Sequence, residues 1–401
     1  MYRKITTFLE QWKESEHRKP LILQGARQVG KTYSVLKFGR THYDNVVYFN
    51  FETNPKLNET FEDYLIPILS HIAGQTIVKE RTLIVFDEVQ LCERALTSLK
   101  YFCEDAPDYH IIVAGSLLGV AVNRAKFSFP VGKVDMKTLY PMDMEEFMLA
   151  LGEDNLVSQI KESFVSDKPL PSALHDAAMQ LYRQYLVVGG MPECVMQYAE
   201  TKDYILVRHM QDTILASYLN DMSKYNNLNE IKKTRLTYDN ITVQLSKKNT
   251  RFQYKLIKKG GRASEFENDI EWLCLSGIVS QVYRVEQIKK PLENYRDIDA
   301  FKIYVSDMGL LCAKKDVAAN DILYMVDELN DFKGGMTENY VNVQLSINGY
   351  NTYYWQSERG AEIDFIIQRE GRLIPIEVKS ADNTRAKSLK VYMDTFKPEY
   401  A

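Results

Sequence analysis

Residues 24–32 read Gln24-Gly25-Ala26-Arg27-Gln28-Val29-Gly30-Lys31-Thr32. They follow the apolar run Leu21-Ile22-Leu23 and precede a segment of helical character that reaches Phe38. A strand, a loop of the pattern G-x-x-x-x-G-K-T and a helix, in this order, predict a phosphate-binding loop. A chance glycine turn is the alternative, but the strand and the helix on either side argue against it.

The chemistry of this loop predicts ATP and Mg²⁺ as its ligands. Lys31 is expected to reach the β- and γ-phosphates, and the Thr32 hydroxyl to be a ligand of Mg²⁺. The loop glycines let successive backbone N–H groups point at phosphate oxygens, and the helix N-terminus adds further donors. The remaining residues expected to bind the nucleotide are Gly25, Ala26, Arg27, Gln28, Val29 and Gly30.

Two later strands complete the predicted ATPase site. An apolar run from Thr82 ends in Asp87 and Glu88. We expect Asp87 to hold Mg²⁺ through its water shell and Glu88 to orient and polarise the attacking water. A second buried strand ends at Ser116. If that strand lies between the other two, Ser116 can sense the γ-phosphate or the water, whereas the alternative is an ordinary turn serine.

Composition restricts the class of protein. A chain of 401 residues with 45% hydrophobic and 26% charged residues is typical of two or three globular domains. A formal net charge of −4 excludes a uniformly basic nucleic-acid binder but not a local basic patch. The five cysteines are scattered, which argues against a disulfide framework or a zinc site. We see neither a signal peptide nor a membrane-spanning run and expect a cytoplasmic protein.

Alternating strands and helices predict an α/β fold, a P-loop NTPase with a doubly wound parallel sheet, over residues 1–150. Residues 151–229 have a helical pattern and are interpreted as a lid. Residues 230–330 read as two helices followed by a β-hairpin, which indicates a winged-helix-like domain. Residues 331–401 read as a small α/β domain, and we expect it to lack its closing strands.

The predicted winged-helix-like segment is basic. Contact with the phosphate backbone of DNA and an ordinary solvated face are both consistent with this composition, and the sequence does not separate them. The basic residues are Lys232, Lys233, Arg235, Lys247, Lys248, Arg251, Lys255, Lys258, Lys259 and Arg262.

The last segment contains a second set of charged residues. Asp364 lies on one predicted strand, and Glu377 and Lys379 lie two residues apart on the next, on one face of the sheet. Glu338 lies on the preceding predicted helix, from Met336 to Leu345. Carboxylates at these positions can bind Mg²⁺, and the lysine can assist a metal-activated water. Exposed strand charges with no chemical role are the alternative.

Several motifs resemble those of the AAA+ ATPases, and in particular a bacterial and archaeal group that joins such an ATPase to a C-terminal domain of unknown function. They are residues 25–32 and 86–90, Ala114-Gly115-Ser116, residues 129–134, Gly189-Gly190-Met191-Pro192, Glu271-Trp272-Leu273, Pro291-Leu292, residues 301–304, Asp307-Met308-Gly309-Leu310-Leu311 and Glu377-Val378-Lys379.

The resemblance implies further expectations. The tail looks like the PD-(D/E)xK nuclease fold, with Glu338, Asp364, Glu377 and Lys379 on the motif positions. AAA+ proteins often complete a site with an arginine from a neighbouring copy, so Arg124 is a candidate arginine finger of a homo-oligomer. A solvent-facing arginine is the alternative.

The predicted function is an Mg²⁺-dependent ATPase that acts on DNA. One alternative is an ATP-controlled switch with slow turnover that binds a protein partner. Another is a nuclease-type protein of defence or of a mobile element.

Overall fold

The computed structural model describes residues 1–59, 65–116, 129–225, 228–245, 251–380 and 386–401. The chain forms two compact units, an N-terminal unit of residues Met1–Tyr140 and a C-terminal unit of residues Pro141–Ala401. The predicted nucleotide domain ended ten residues later, at residue 150; the helix from Met144 to Ala150 belongs to the C-terminal unit.

The N-terminal unit is built from alternating strands and helices. Its elements are α1 (Ile5–Glu14), β1 (Leu21–Gln24), α2 (Lys31–His42), β2 (Asn45–Asn50), α3 (Leu65–Ala73), β3 (Thr82–Asp87), α4 (Glu93–Glu104), β4 (His110–Gly115) and β5 (Asp135–Thr138), with 3₁₀ turns at Pro55–Glu59 and Val89–Leu91.

The five strands form one parallel sheet in the order β2-β3-β4-β1-β5. Every residue of β3 and β4 is buried, as expected for central strands covered on both faces. On one face α3 and α4 pack against Ile84 and Phe86, and on the other α2 brings Gly39 against Val46 and Leu83. The predicted parallel α/β fold is confirmed, and β4 does lie between β1 and β3.

The C-terminal unit begins with helices. Its elements are α5 (Met144–Ala150), α6 (Asp154–Ser166), α7 (Ser172–Val188), α8 (Pro192–Thr201), α9 (Tyr204–Tyr225), α10 (Leu228–Leu245), α11 (Ala263–Leu275), β6 (Val279–Val285), β7 (Arg296–Val305), α12 (Met308–Lys314), α13 (Ala319–Leu323), α14 (Asn330–Ile347), β8 (Tyr353–Gln356), β9 (Glu362–Arg369), β10 (Arg372–Ile376) and α15 (Lys387–Phe396), with 3₁₀ turns at Tyr254–Leu256, Leu292–Tyr295 and Asp327–Leu329.

A second sheet of five strands has the order β10-β9-β8-β6-β7. The hairpin β6–β7 is antiparallel, and β6 pairs in parallel with β8 through Tyr283 and Tyr353. The boundary predicted at residue 330 therefore cuts through a single sheet, and the hairpin is not a separate winged-helix-like element. Parallel pairing joins segments distant in sequence, so a local pattern of helices and hairpin does not reveal it.

The tail differs from its prediction in two local details. The helix expected from Met336 begins at Asn330 and so includes Gly335. Position 335 requires glycine because a Cβ there would meet the carbonyl oxygen of Leu245 at 1.9 Å. Strand β10 ends at Ile376, so Glu377 and Lys379 follow the strand and do not lie on it.

Two motifs of the C-terminal unit meet at one buried carboxyl group. Asp307, 2% exposed, accepts hydrogen bonds from the backbone N–H groups of Gly190 at 2.6 Å and Leu310 at 2.9 Å. Burial raises the pKa of Asp307 to about 6. The Gly189-Gly190-Met191-Pro192 and Asp307-Met308-Gly309 segments thus have a packing role, and α8 begins at Pro192.

Within the described ranges, no helix combines the length and the apolar character that a membrane span needs.

Candidate nucleotide-binding site and the C-terminal carboxylate cluster

The loop between β1 and α2 has the backbone conformation expected of a phosphate-binding loop. Gln28 and Gly30 have φ values of 65° and 88°, and Gly30 caps the N-terminus of α2. A Cβ at Gly25 would lie 2.1 Å from the carbonyl oxygen of Leu139, so this glycine is also required by close backbone packing. Arg3 donates to the carbonyl oxygen of Val29 at 3.0 Å, which ties the loop to the chain before α1.

Lys31 lies at the centre of the site. Its ammonium group, in a side chain 7% exposed, donates to the carbonyl oxygens of Gly25 at 2.9 Å and Ala26 at 2.7 Å. Burial lowers the pKa of Lys31 to about 8, and the carboxylates of Glu88 and Asp87 oppose that shift. The loop therefore holds a positive charge next to its N–H groups, which suits a polyphosphate.

Thr32 and Asp87 meet at the carboxyl edge of the sheet. The Thr32 hydroxyl donates to Asp87 Oδ2 at 2.8 Å, and the Tyr48 hydroxyl donates to the same oxygen at 2.7 Å. Asn50 donates in turn to the Tyr48 hydroxyl at 3.1 Å. A hydroxyl and a carboxylate oxygen side by side are hard ligands of the kind that Mg²⁺ prefers, so this donor set fits the predicted ion.

Glu88 is held by two polar neighbours. Its carboxylate accepts a hydrogen bond from the side-chain amide of Gln90, and Ser116 donates to it at 3.3 Å. Glu88 itself has a φ of 51°, in the left-handed region, which non-glycine residues rarely occupy. The parallel order of β1, β4 and β3 thus brings the loop, Ser116 and Glu88 to one edge.

Sequence reasoning missed Tyr48, Asn50 and Gln90. The alternation of β2 places Tyr48 and Asn50 on one face, which was a usable signal once β2 was known to neighbour β3. Gln90 lies two residues after Glu88 in the sequence. Its contact with Glu88 depends on the 3₁₀ turn at Val89–Leu91, which the sequence analysis did not predict. Arg124, the candidate finger, lies outside the described residues, and its role stays a prediction.

The C-terminal carboxylates surround a lysine that the sequence did not single out. Lys302 on β7, only 1% exposed, donates to Glu362 on β9 at 2.6 Å, and its ammonium lies 3.6 Å from Glu338 on α14. Tyr304, two residues further along β7, donates to Glu338 at 3.1 Å. The cluster is therefore built from both halves of the second sheet.

The residues predicted to bind a metal lie near Lys302, and two of them have hydrogen-bond or ion-pair partners of their own. Asp364 Oδ2 accepts the backbone N–H of Val378 at 2.7 Å, and Glu377 pairs with Lys379. Burial, and then the nearby Glu338, raise the pKa of Asp364 to about 7. Among described residues, no three His, Cys, Asp or Glu side chains form a group that could hold a metal ion. Glu338, Asp364 and Glu377 are thus not assembled as the predicted metal set.

The basic segment is described in part, since residues 247 and 248 lie outside the described ranges. Lys233 pairs with Asp269 at 3.3 Å, and Arg235 donates to the carbonyl oxygen of Leu219 at 3.2 Å. These two side chains are thus engaged within the unit. Exposed basic residues remain at Lys232 on α10 and, in the segment that leads into α11, at Lys255, Lys258, Lys259 and Arg262.

Three sequence families match successive parts of the chain. The family described as "AAA domain" matches residues 17–148, which form the parallel sheet and its loop. Two families, each described as "Domain of unknown function" (DUF8612 and DUF4143), match residues 179–321 and 333–400. No curated protein matches the sequence. The chain therefore contains an AAA-type P-loop domain, followed by regions whose families have no assigned function.

Similar solved structures are distant. The Walker-type ATPase PABY2304 of Pyrococcus abyssi is 14% identical, with 77% of this chain and 94% of that chain covered and a TM-score of 0.44. The ORC2 protein of Aeropyrum pernix is 12% identical, with 81% and 91% covered and a TM-score of 0.34. The RuvB Holliday junction branch migration motor of Thermotoga maritima is 14% identical, with 69% and 87% covered and a TM-score of 0.31. At these scores the likenesses support no statement about activity.

Proposed function

We propose that this protein is an Mg²⁺-dependent ATPase. The observation that carries the proposal is the meeting of Lys31, Thr32, Asp87 and Glu88 at one edge of the parallel sheet, with the Thr32 hydroxyl 2.8 Å from Asp87. A cation, a hydroxyl–carboxylate pair and a second carboxylate are the side chains that phosphoryl transfer to water requires.

Each of these side chains has a distinct task. Lys31 balances the charge of the β- and γ-phosphates, and Thr32 with Asp87 would hold Mg²⁺, which supplies positive charge to the phosphate oxygens. Glu88 accepts a proton from the attacking water, and Ser116 hydrogen-bonds to Glu88 and orients it. The separation of tasks means that binding and turnover depend on different residues.

Paired variants test the proposal. Lys31→Ala should weaken ATP binding by about 100-fold or more, because the charge opposite the phosphates is lost. Glu88→Gln should keep ATP affinity and lower kcat by about 10²–10³-fold, because the water loses its base. Lys37→Ala removes an exposed charge from the same helix and should change neither. Equal loss of ATP affinity in the Lys31 and Glu88 variants would contradict the assigned roles.

A regulatory switch with slow turnover is the second candidate, favoured by the engagement of Glu88 with Gln90 and Ser116. A hydrogen bond from the Gln90 amide stabilises the charged carboxylate and lowers its basicity, which slows proton transfer from water. Gln90→Ala should then raise kcat several-fold while leaving ATP affinity unchanged. A lower kcat in Gln90→Ala would instead make Gln90 a residue that positions Glu88 for catalysis.

The exposed basic residues near α11 suit DNA as a partner. Binding through phosphates should weaken steeply with rising salt and be reduced for all sequences alike by Lys258→Glu with Lys259→Glu. Lys168→Glu with Lys397→Glu changes the net charge equally at other exposed positions and should leave binding intact. An absence of DNA binding at low salt would favour a protein partner of the switch.

Assembly into a homo-oligomer is proposed together with Arg124 as the finger that a neighbouring copy contributes. Arg124→Ala should lower kcat without changing the oligomeric state measured by light scattering. A monomeric enzyme with full activity would contradict this part of the proposal.

A further inference from the structure

We propose that Lys302 is the resident cation of the C-terminal carboxylate cluster, and that its ammonium group takes the place of a divalent metal ion among Glu338, Glu362 and Asp364. This inference concerns the C-terminal unit alone and does not depend on ATP hydrolysis in the N-terminal unit.

The first support is the position of the ammonium group. The Lys302 side chain is 1% exposed, and its Nζ lies 2.6 Å from Glu362 and 3.6 Å from Glu338. The strands β7 and β9 are separated by β6 and β8, so the contact crosses the face of the sheet. Nζ also lies 5.2 Å from the ring centroid of Tyr354 on β8, a strand between the two. A charge this enclosed acts on neighbouring groups and not on a substrate.

The second support is that the acidic side chains already have partners. Glu338 accepts from the Tyr304 hydroxyl at 3.1 Å, and Asp364 accepts from the backbone N–H of Val378 at 2.7 Å. Glu377 pairs with Lys379. A divalent ion would have to displace these donors and lie beside the Lys302 ammonium, which repels it.

The third support is electrostatic. Burial disfavours the charged form of Lys302, but Glu338, Glu362 and Asp364 together raise its pKa above the ordinary value. The ammonium offsets one of the negative charges of Glu338, Glu362 and Asp364, and a divalent ion would have to bind against its repulsion.

The proposal has a structural consequence for the nuclease-like tail. With Lys302 in place, the sheet holds its carboxylates without metal and serves as a rigid scaffold. Without Lys302, the three acidic side chains are uncompensated and can move together around a divalent cation.

A titration with Mn²⁺, followed by electron paramagnetic resonance of the free ion in the full chain without nucleotide, tests this. Lys302→Met should bind one additional Mn²⁺ per chain compared with wild type, and adding Asp364→Asn should remove it. Lys379→Met, which removes the motif lysine next to Glu377, is the matched control and should bind as wild type does. A wild-type Mn²⁺ site that Asp364→Asn abolishes, or a folded Lys302→Met with no added site, would overturn the proposal.

Thermal unfolding covers the case in which Lys302→Met fails to fold. Loss of one partner of a buried ion pair should lower the melting temperature of the C-terminal unit by on the order of 10 °C. Adding Glu362→Gln removes the uncompensated charge that lay nearest the ammonium and should restore a large part of the loss. A double variant no more stable than Lys302→Met would show that packing, not charge, keeps Lys302 in place, which would overturn the proposal.

Discussion

The two groups of carboxylates in this molecule, Asp87 with Glu88 in the N-terminal unit and Glu338 with Glu362 in the C-terminal unit, have different partners. Asp87 and Glu88 accept hydrogen bonds from hydroxyl and amide groups, which leave their negative charge in place. Glu338 and Glu362 lie against the buried ammonium of Lys302, which offsets part of their negative charge.

The difference shows why residue type alone does not identify a metal site. A neutral donor orients a carboxylate and leaves its charge available to a cation. A buried lysine offsets part of that charge and repels a further cation. Asp87 ends β3 and Glu362 begins β9, so a position at a strand end does not separate the two groups, while Glu338 lies on α14. The nature of the hydrogen-bond donor separates a site suited to Mg²⁺ from a closed ion network.

The largest expected effect separates the two groups by activity. Asp87→Asn should lower kcat for ATP hydrolysis on the order of 10²–10³-fold, because the charge that holds Mg²⁺ is removed. Glu362→Gln should leave kcat within about twofold, since its charge is internal. Phosphate release measured over a range of Mg²⁺ concentrations checks both, with circular dichroism as the control for folding. An equal loss in Glu362→Gln would remove the contrast.

Asp307 offers a third arrangement, a buried carboxyl group satisfied by backbone N–H groups. Asp307→Ala should lower the free energy of unfolding of the C-terminal unit by about 3 kcal/mol, because the N–H groups of Gly190 and Leu310 lose their acceptor inside the protein. Urea denaturation measures the change. Asp316→Ala removes the exposed partner of Arg208 and should cost less than about 1 kcal/mol.

The two units should respond to pH in opposite directions. Burial lowers the pKa of His110 to about 4, so its neutral form is favoured in the folded N-terminal unit. That stability is present above the unfolded pKa of 6.5 and is lost as pH falls toward 4. Asp307, with its pKa raised from 3.8 to about 6, favours the protonated form and loses stability as pH rises through that interval.

Each of these effects should be on the order of 2–3 kcal/mol, less for His110 if solvent reaches the ring. Hydrogen exchange of peptides from each unit, measured between pH 4 and pH 6.5, separates the two responses. His110→Gln and Asp307→Ala should each flatten the response of their own unit alone. Parallel responses of both units in the unchanged protein would contradict the assignment.

The smallest expected effect concerns the Tyr48 hydroxyl. Tyr48→Phe removes one donor to Asp87, worth about 1 kcal/mol, and should raise the Mg²⁺ concentration for half-maximal hydrolysis about fivefold. Tyr33→Phe, at an exposed tyrosine of α2, is the control and should change nothing. An unchanged Mg²⁺ dependence in Tyr48→Phe would show that Thr32 alone is enough to orient Asp87.

Much of the N-terminal unit was predictable from the sequence. The apolar runs of β1, β3 and β4 and the glycine pattern between Gly25 and Gly30 are local signals, each confined to a strand, a turn or a helix. The predicted position of Ser116 required β4 to lie between β1 and β3. The observed order β3-β4-β1 meets that condition. The β5 strand, Asp135–Thr138, gave no such signal, because it is a half-exposed edge with no apolar run.

The sequence by itself determined the elements and the nucleotide loop, because hydrophobic period, glycine spacing and helix starts depend on neighbours along the chain. Tertiary structure alone decided that β6 pairs with β8, that Asp307 joins two motifs and that Lys302 lies between Glu338 and Glu362. These facts depend on which distant segments pack together, and burial changes the energy of a charge far more than its sequence neighbours do. From the sequence alone, a lysine in an apolar strand is expected at the surface. Only the tertiary structure shows that Lys302 is buried.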